Sequence, residues 1–194
     1  MSVDQMSLFT ALLALVVAAV ALVGVVLLTT AAGRAVLAGF RTDARRLAFS
    51  VAGVSTAASL WFSEVGGFIP CELCWYQRIL MYPLVLVLGT AVWGRDDLLR
   101  WRVLPFSLLG VAVSGYHVQL QWFPDQASSC EMATPCTQQW VDEFGFVSIP
   151  VMAFFGFAAI TVLVLAATVR ADTGLPDGLR AGRDVESITP EEGP

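Results

Sequence analysis

Five stretches of this chain run without a charged residue: 29 residues between Asp4 and Arg34, 17 between Arg46 and Glu64, 16 between Arg78 and Arg95, 22 between Arg102 and Asp125, and 26 between Glu143 and Arg170. A helix crosses a bilayer with about 20 apolar residues. The five runs take up most of the 194 residues, and nothing left over is long enough to bury a water-soluble core of its own. Only 14% of the residues are charged, where a soluble domain carries roughly 25%. An ordinary cytosolic globule is thereby excluded. Lipid offers no partner to open backbone groups, and no stretch alternates with the period of a barrel strand, so the spans are helices. The fold class is an all-α integral membrane protein.

The runs predict helices over approximately 6–29, 47–65, 77–94, 103–123 and 147–169. All eleven basic residues are arginine, and ten lie in the first connection, in the third connection or in the C-terminal segment. Positive charge marks the cytoplasmic side. The N-terminus, the segment around 66–76 and the loop 124–146 are therefore expected outside and the C-terminus inside. Residues 1–7 carry Asp4 and no Lys or Arg. A secretory signal peptide needs a basic start, so the first span is expected to be retained. Residues 1–46 then form an N-terminal helix with a cytoplasmic loop, 47–169 a four-helix core, and 170–194 a flexible cytoplasmic tail. That tail holds Asp172, Asp177, Asp184, Glu186, Glu191 and Glu192 among Gly and Pro. With few, scattered arginines and a net charge of -5, the chain has no basic tract with which to follow nucleic acid.

The chemistry is expected outside. Cys71 and Cys74 follow Pro70 at the outer end of the second span, and Cys130 and Cys136 lie in the second outer loop. Two close pairs on the oxidising side are consistent with two disulfides; structural staples and a four-thiolate zinc site are the alternatives. A bridge between residues three apart closes a tiny loop and removes little entropy from the unfolded chain. Redox work suits the Cys71-Glu72-Leu73-Cys74 spacing better. A helix N-terminus and a neighbouring cation hold a thiol as thiolate, and Cys74, at a helix start with Arg78 one turn on, is expected to be that thiol. Arg78 is the one arginine on the outer side, either a snorkelling anchor or a cation serving the thiolate.

His117, the only histidine, lies roughly 9 Å below the outer end of the fourth helix, close to the depth of Arg78. Packing residue and functional group are both open readings for it. Gln121, one turn on, is placed to orient it. The six tryptophans fall near helix ends or in loops and read mainly as an interfacial belt.

These residues carry a resemblance. Phe68-Ile69-Pro70-Cys71-Glu72-Leu73-Cys74-Trp75-Tyr76-Gln77-Arg78 resembles the first external loop of the disulfide bond formation protein B family, in its variant with a short second loop. Tyr116-His117, the pair Cys130 and Cys136, and Gly145-Phe146-Val147-Ser148-Ile149-Pro150 follow in the family's order, over about residues 47–169.

The resemblance implies a four-helix bundle, here with an extra N-terminal helix, in the cell membrane. It implies reoxidation of an extracytoplasmic thioredoxin-fold, DsbA-like oxidase, with electrons passed to a membrane quinone, ubiquinone or menaquinone. By position, Cys130 and Cys136 form the disulfide that the partner's thiolate attacks, with Cys130 holding the mixed disulfide, and Cys71 exchanges with the second loop. Cys74 stands next to the quinone, and Arg78 stabilises the reduced ring oxygen. His117 and Gln121 complete the expected cofactor site; no metal is expected. A vitamin K epoxide reductase-like enzyme is the nearest alternative, but its pattern does not match Tyr76-Gln77-Arg78. A disulfide-stapled structural membrane protein is the non-enzymatic one. Delivery of electrons outward from the cytoplasm would need cysteines within the membrane or inside, and there are none. Haem attachment fails because Trp75 stands where that motif needs histidine.

Overall fold

A computed structural model describes residues 2–93, 99–126 and 134–169. The tail 170–194 and Cys130 lie outside the described residues. Within them the chain forms α1 (Val3–Thr29), α2 (Ala31–Gly39), α3 (Arg41–Glu64), α4 (Glu72–Trp93), α5 (Leu99–Trp122) and α6 (Ile149–Thr168), with a 3-10 turn at Pro124–Gln126. All five expected long helices are present.

The first connection differs from expectation. Residues 30–46 were expected as a cytoplasmic loop between the first two spans, yet Ala31–Gly39 and the residues from Arg41 on are helical. Ala31–Gly39 is rich in strong helix formers, and Thr30, extended at φ -109° and ψ 147°, ends α1 and caps α2 by accepting the Gly33 N–H. Arg41 then donates from Nε to the Ala167 carbonyl at 3.0 Å, tying the start of α3 to the C-terminal carbonyls of α6.

α1, α4, α5 and α6 are long and apolar enough to cross a membrane. α3 falls short of that apolarity because Ser50, Ser55, Thr56, Ser59 and Ser63 interrupt its charge-free run. It nevertheless packs against both α4 and α6 inside the bundle.

α6 is the centre of the assembly, with α1, α3 and α5 against it. Phe157, Ala159, Ile160, Val164 and Ala167 on α6 are fully buried. Close approach needs missing side chains: a Cβ on Gly110 of α5 would strike the Phe157 ring, and one on Gly24 of α1 would strike Val162. The outward faces carry Leu8, Leu12, Val16, Val20, Leu86 and Leu109, as lipid contact requires.

α6 begins after a tight turn. Phe144 (φ 58°) and Gly145 (φ 74°) both occupy the left-handed region, and Glu143 and Val147 pair across the turn. Ser148, the N-cap of α6, makes no capping hydrogen bond. Its hydroxyl is spent elsewhere, on Gln121.

Candidate functional site

Cys71 is the residue immediately before α4, and this changes which sulfur the helix terminus serves. The Cys74 backbone N–H, third in the helix, points back at Cys71 Sγ at 3.4 Å, where an N-cap oxygen would ordinarily accept. Cys71 Sγ also lies 2.9 Å from Cys74 Sγ and 3.7 Å from His117 Nε2. The two sulfurs are not bonded to each other.

Those contacts make Cys71 the stabilised thiolate. Its pKa is lowered, first by the hydrogen bond from the Cys74 thiol and then by His117, against the opposing effect of burial. The sequence placed Cys74 at the helix start; the helix begins at Glu72, one residue after Cys71, and the Cys74 N–H faces the Cys71 sulfur. A lowered pKa keeps the charged form to lower pH. Alkylation of Cys71 in the reduced protein, followed on its peptide by mass spectrometry, should therefore persist at pH values below those at which an ordinary thiol has lost its reactivity. His117→Ala should move the loss of reactivity to higher pH; an ordinary tenfold rise per pH unit through neutrality would refute the assignment.

His117 is almost fully buried, and its tautomer follows from its partners. The Cys136 carbonyl, 3.0 Å from Nε2, can only accept, so Nε2 carries the proton. Nδ1 then accepts from Gln77 Nε2 at 3.0 Å. One ring thus bridges the first cysteine pair, the second external loop and α4. Cys71, Cys74 and His117 place three metal-binding atoms within 4.8 Å of one another.

Gln77, not Gln121, orients the histidine. Gln121 is turned toward the loop and α6: it accepts from Ser148 Oγ at 2.6 Å and donates to the Gln138 carbonyl at 3.4 Å. Gln77 carried a legible signal, an uncharged polar group in an apolar span three residues after Cys74. Its neighbour Arg78 drew the attention because of its charge.

On the other side of Cys74 lies a cavity of about 320 Å³, walled by α1, α3, α4 and α6. Cys74 and Arg78 line it; His117 and Gln121 do not. The serines that interrupt α3 reappear here, Ser50, Ser55, Ser59 and Ser63 all facing the cavity in a wall otherwise mostly apolar. Ser59 aims the arginine. Arg78 donates from Nε to Ser59 Oγ at 3.0 Å and from Nη2 to the Ser59 carbonyl at 2.9 Å, with Trp75 5.3 Å from the guanidinium carbon.

The outer end of the cavity is closed by stacked rings. Phe62 and Phe68 stack at 5.6 Å, Phe68 and Trp140 at 5.0 Å, and all three line the space. Trp140, expected as part of the interfacial belt, instead carries the second loop over this roof. It also borders a smaller space shared with Cys71, Cys74 and His117. Cys136 is disulfide-bonded, 1% exposed, and packed with Cys71 and Leu120 in one apolar cluster.

A family model described as disulfide bond formation protein DsbB matches residues 41–169. The disulfide bond formation protein C of Bacillus subtilis is 43% identical over 116 residues, 59% of this chain and 84% of its own length. A probable disulfide formation protein C 2 of Bacillus cereus is 39% identical over 119 residues, 61% of this chain and 86% of its own. A probable disulfide formation protein of Oceanobacillus iheyensis is 45% identical over 115 residues, 58% and 79% respectively. No solved structure matches the chain.

Proposed function

The chain belongs to the disulfide bond formation protein DsbB family, a disulfide-forming multi-pass membrane protein, and on that premise we propose that it is a thiol:quinone oxidoreductase. Its substrate on the protein side is the reduced form of an extracytoplasmic thioredoxin-fold oxidase. The observation that carries the reading is the free Cys74 thiol and the Arg78 guanidinium on the wall of one apolar cavity, with the second cysteine loop roofing it.

The residues fit a quinone. A cavity of about 320 Å³ is within the size range of small-molecule sites, and these are mostly apolar with a few placed polar groups. A bound quinone supplies the acceptor for two electrons and two protons. Ubiquinone and menaquinone both satisfy that chemistry.

The chain's own residues do the rest. Two thiols of the partner reduce the Cys130–Cys136 disulfide and leave as the partner's disulfide. The Cys136 thiol, packed against Cys71, then attacks a Cys71–Cys74 disulfide at Cys71, releasing Cys74 on the cavity wall. Closure of Cys130–Cys136 leaves two electrons on the Cys71/Cys74 dithiol. His117 holds the Cys136 backbone beside Cys71 during the handover, and Gln121 with Ser148 pins the same loop to α6. Arg78, fixed by Ser59, favours negative charge developing on the acceptor in a site of low dielectric. The arginine asymmetry supports placing both cysteine loops on the extracytoplasmic face.

Purified protein mixed with a reduced thioredoxin-fold oxidase and a soluble quinone analogue tests the proposal. One quinone should be reduced per partner disulfide formed, and Cys74→Ser should abolish it. Partner oxidation with no loss of quinone absorbance would overturn the reading.

A further inference from the structure

The matched family region begins at residue 41, so α1 lies outside it, yet α1 supplies one wall of the cavity. Thr10, Leu13, Ala14 and Val17 face the space. Their spacing of three, four and seven residues is a single helical face. Outside that face Leu12, Val16 and Val20 are exposed, with Val16 60% exposed as a lipid-facing residue would be. α1 therefore stands between the cavity and the hydrocarbon.

Two contacts hold it there. Lower in the bundle, Gly24 allows α1 to approach α6 at Val162. At the outer end, Ser7, almost fully buried, donates from Oγ to Glu143 Oε1 at 2.6 Å. Glu143 belongs to the turn that starts α6 and lies three residues after Trp140, which roofs the cavity. A hydroxyl–carboxylate bond thus joins the wall to the roof, and such charge-assisted bonds are stronger than neutral ones.

We propose that α1 is the lateral wall of the acceptor site, closing it toward lipid and setting the room available to a benzoquinone or naphthoquinone ring, with Ser7–Glu143 as its fastening. The inference rests on the quinone reading above. Ala14 is the position where size matters most: 8% exposed, with a single methyl group lining the space. A larger side chain there competes with the ring for volume, while the thiol exchange steps on the far side of Cys74 are untouched.

The test uses the full-length protein in lipid, with decylubiquinone and menadione as probes and a reduced thioredoxin-fold oxidase as donor. Ala14→Phe should raise the KM for both probes about tenfold with a smaller change in kcat, the mark of lost binding common to ground and transition states. Ala14→Leu should move KM the same way by less, and provides the answer if the phenylalanine variant fails to insert. Ser7→Ala should raise KM about threefold by loosening the wall. Val16→Phe, the same ring on the lipid side, should leave KM at the wild-type value, and all variants should exchange disulfides with the partner normally when quinone is omitted. Ala14→Leu and Ala14→Phe at wild-type KM, in a protein whose wild type reduces the probes, would overturn the role of α1 alone. A wild type that reduces neither probe would overturn the quinone reading itself, and this inference with it.

Discussion

Replacing Arg78 with methionine should lower kcat/KM for quinone about a hundredfold while leaving disulfide exchange with the partner intact. Reducing a quinone places negative charge on a ring oxygen, and a guanidinium fixed in an apolar site stabilises that charge far more than it would in water. Loss of one such preorganised donor costs on the order of a hundredfold. Arg78 is held by Ser59 through Nε and Nη2, so its position does not have to be organised when the acceptor arrives. Methionine keeps much of the length and apolar stem but removes both donors that Arg78 gives Ser59, leaving Ser59 Oγ with the longer 3.4 Å bond from the Tyr82 hydroxyl, a change of about 1 kcal/mol in stability. Thermal unfolding must therefore be measured beside the kinetics. Lysine should rescue only in part, because it keeps the charge and loses the planar fork that grips Ser59 at two points. Unchanged quinone kinetics in Arg78→Met would reduce the residue to an anchor held by Ser59 and Trp75.

The long helices were legible because lipid and packing both demand apolar runs, and charge-free stretches record that demand directly. What could not be read was which face of each helix meets which neighbour. The serines of α3 carried no signal of their own in the sequence, yet they line the cavity. Arg41, Arg45 and Arg46 looked like a loop, yet they sit in the first turns of α3, since charge is tolerated in a helix beyond the hydrocarbon. Trp140 looked like a belt residue, and its stacking on Phe68 depends on a loop path that no local pattern encodes.

At the site, the cysteines, Arg78 and His117 stood out by residue type, and the structure brings Cys71, Cys74, Cys136 and His117 together with Arg78 on the adjoining cavity wall. The partners that orient them did not stand out. Gln77 and Ser59 act across 40 and 19 residues of sequence. A helix boundary moved by one position also decides whether Cys71 or Cys74 receives the helix N–H groups. Such a boundary is set by Pro70 and the turn before it as much as by propensity.

The second large effect concerns the partner complex. Cys136→Ser should accumulate the partner as a stable mixed disulfide, and Cys130→Ser should abolish that species altogether. Thiolate attack on a disulfide requires approach along the S–S axis to one of the two sulfurs. Cys136 offers no such approach: it is 1% exposed, packed with Cys71 and Leu120, and its own carbonyl is held by His117. On the proposed function a soluble partner therefore attacks Cys130, and Cys136, packed with Cys71, is the sulfur released. With serine at 136, Cys130 bonds to the partner and no resolving thiol remains beside it, so the complex is stranded. With serine at 130, the surviving Cys136 is shielded and presents no sulfur to the partner. Non-reducing electrophoresis of each variant with the partner reads the outcome directly. Equal trapping by the two variants would mean that the loop opens far enough to expose Cys136, and that the contact between His117 and its carbonyl does not persist when the partner binds.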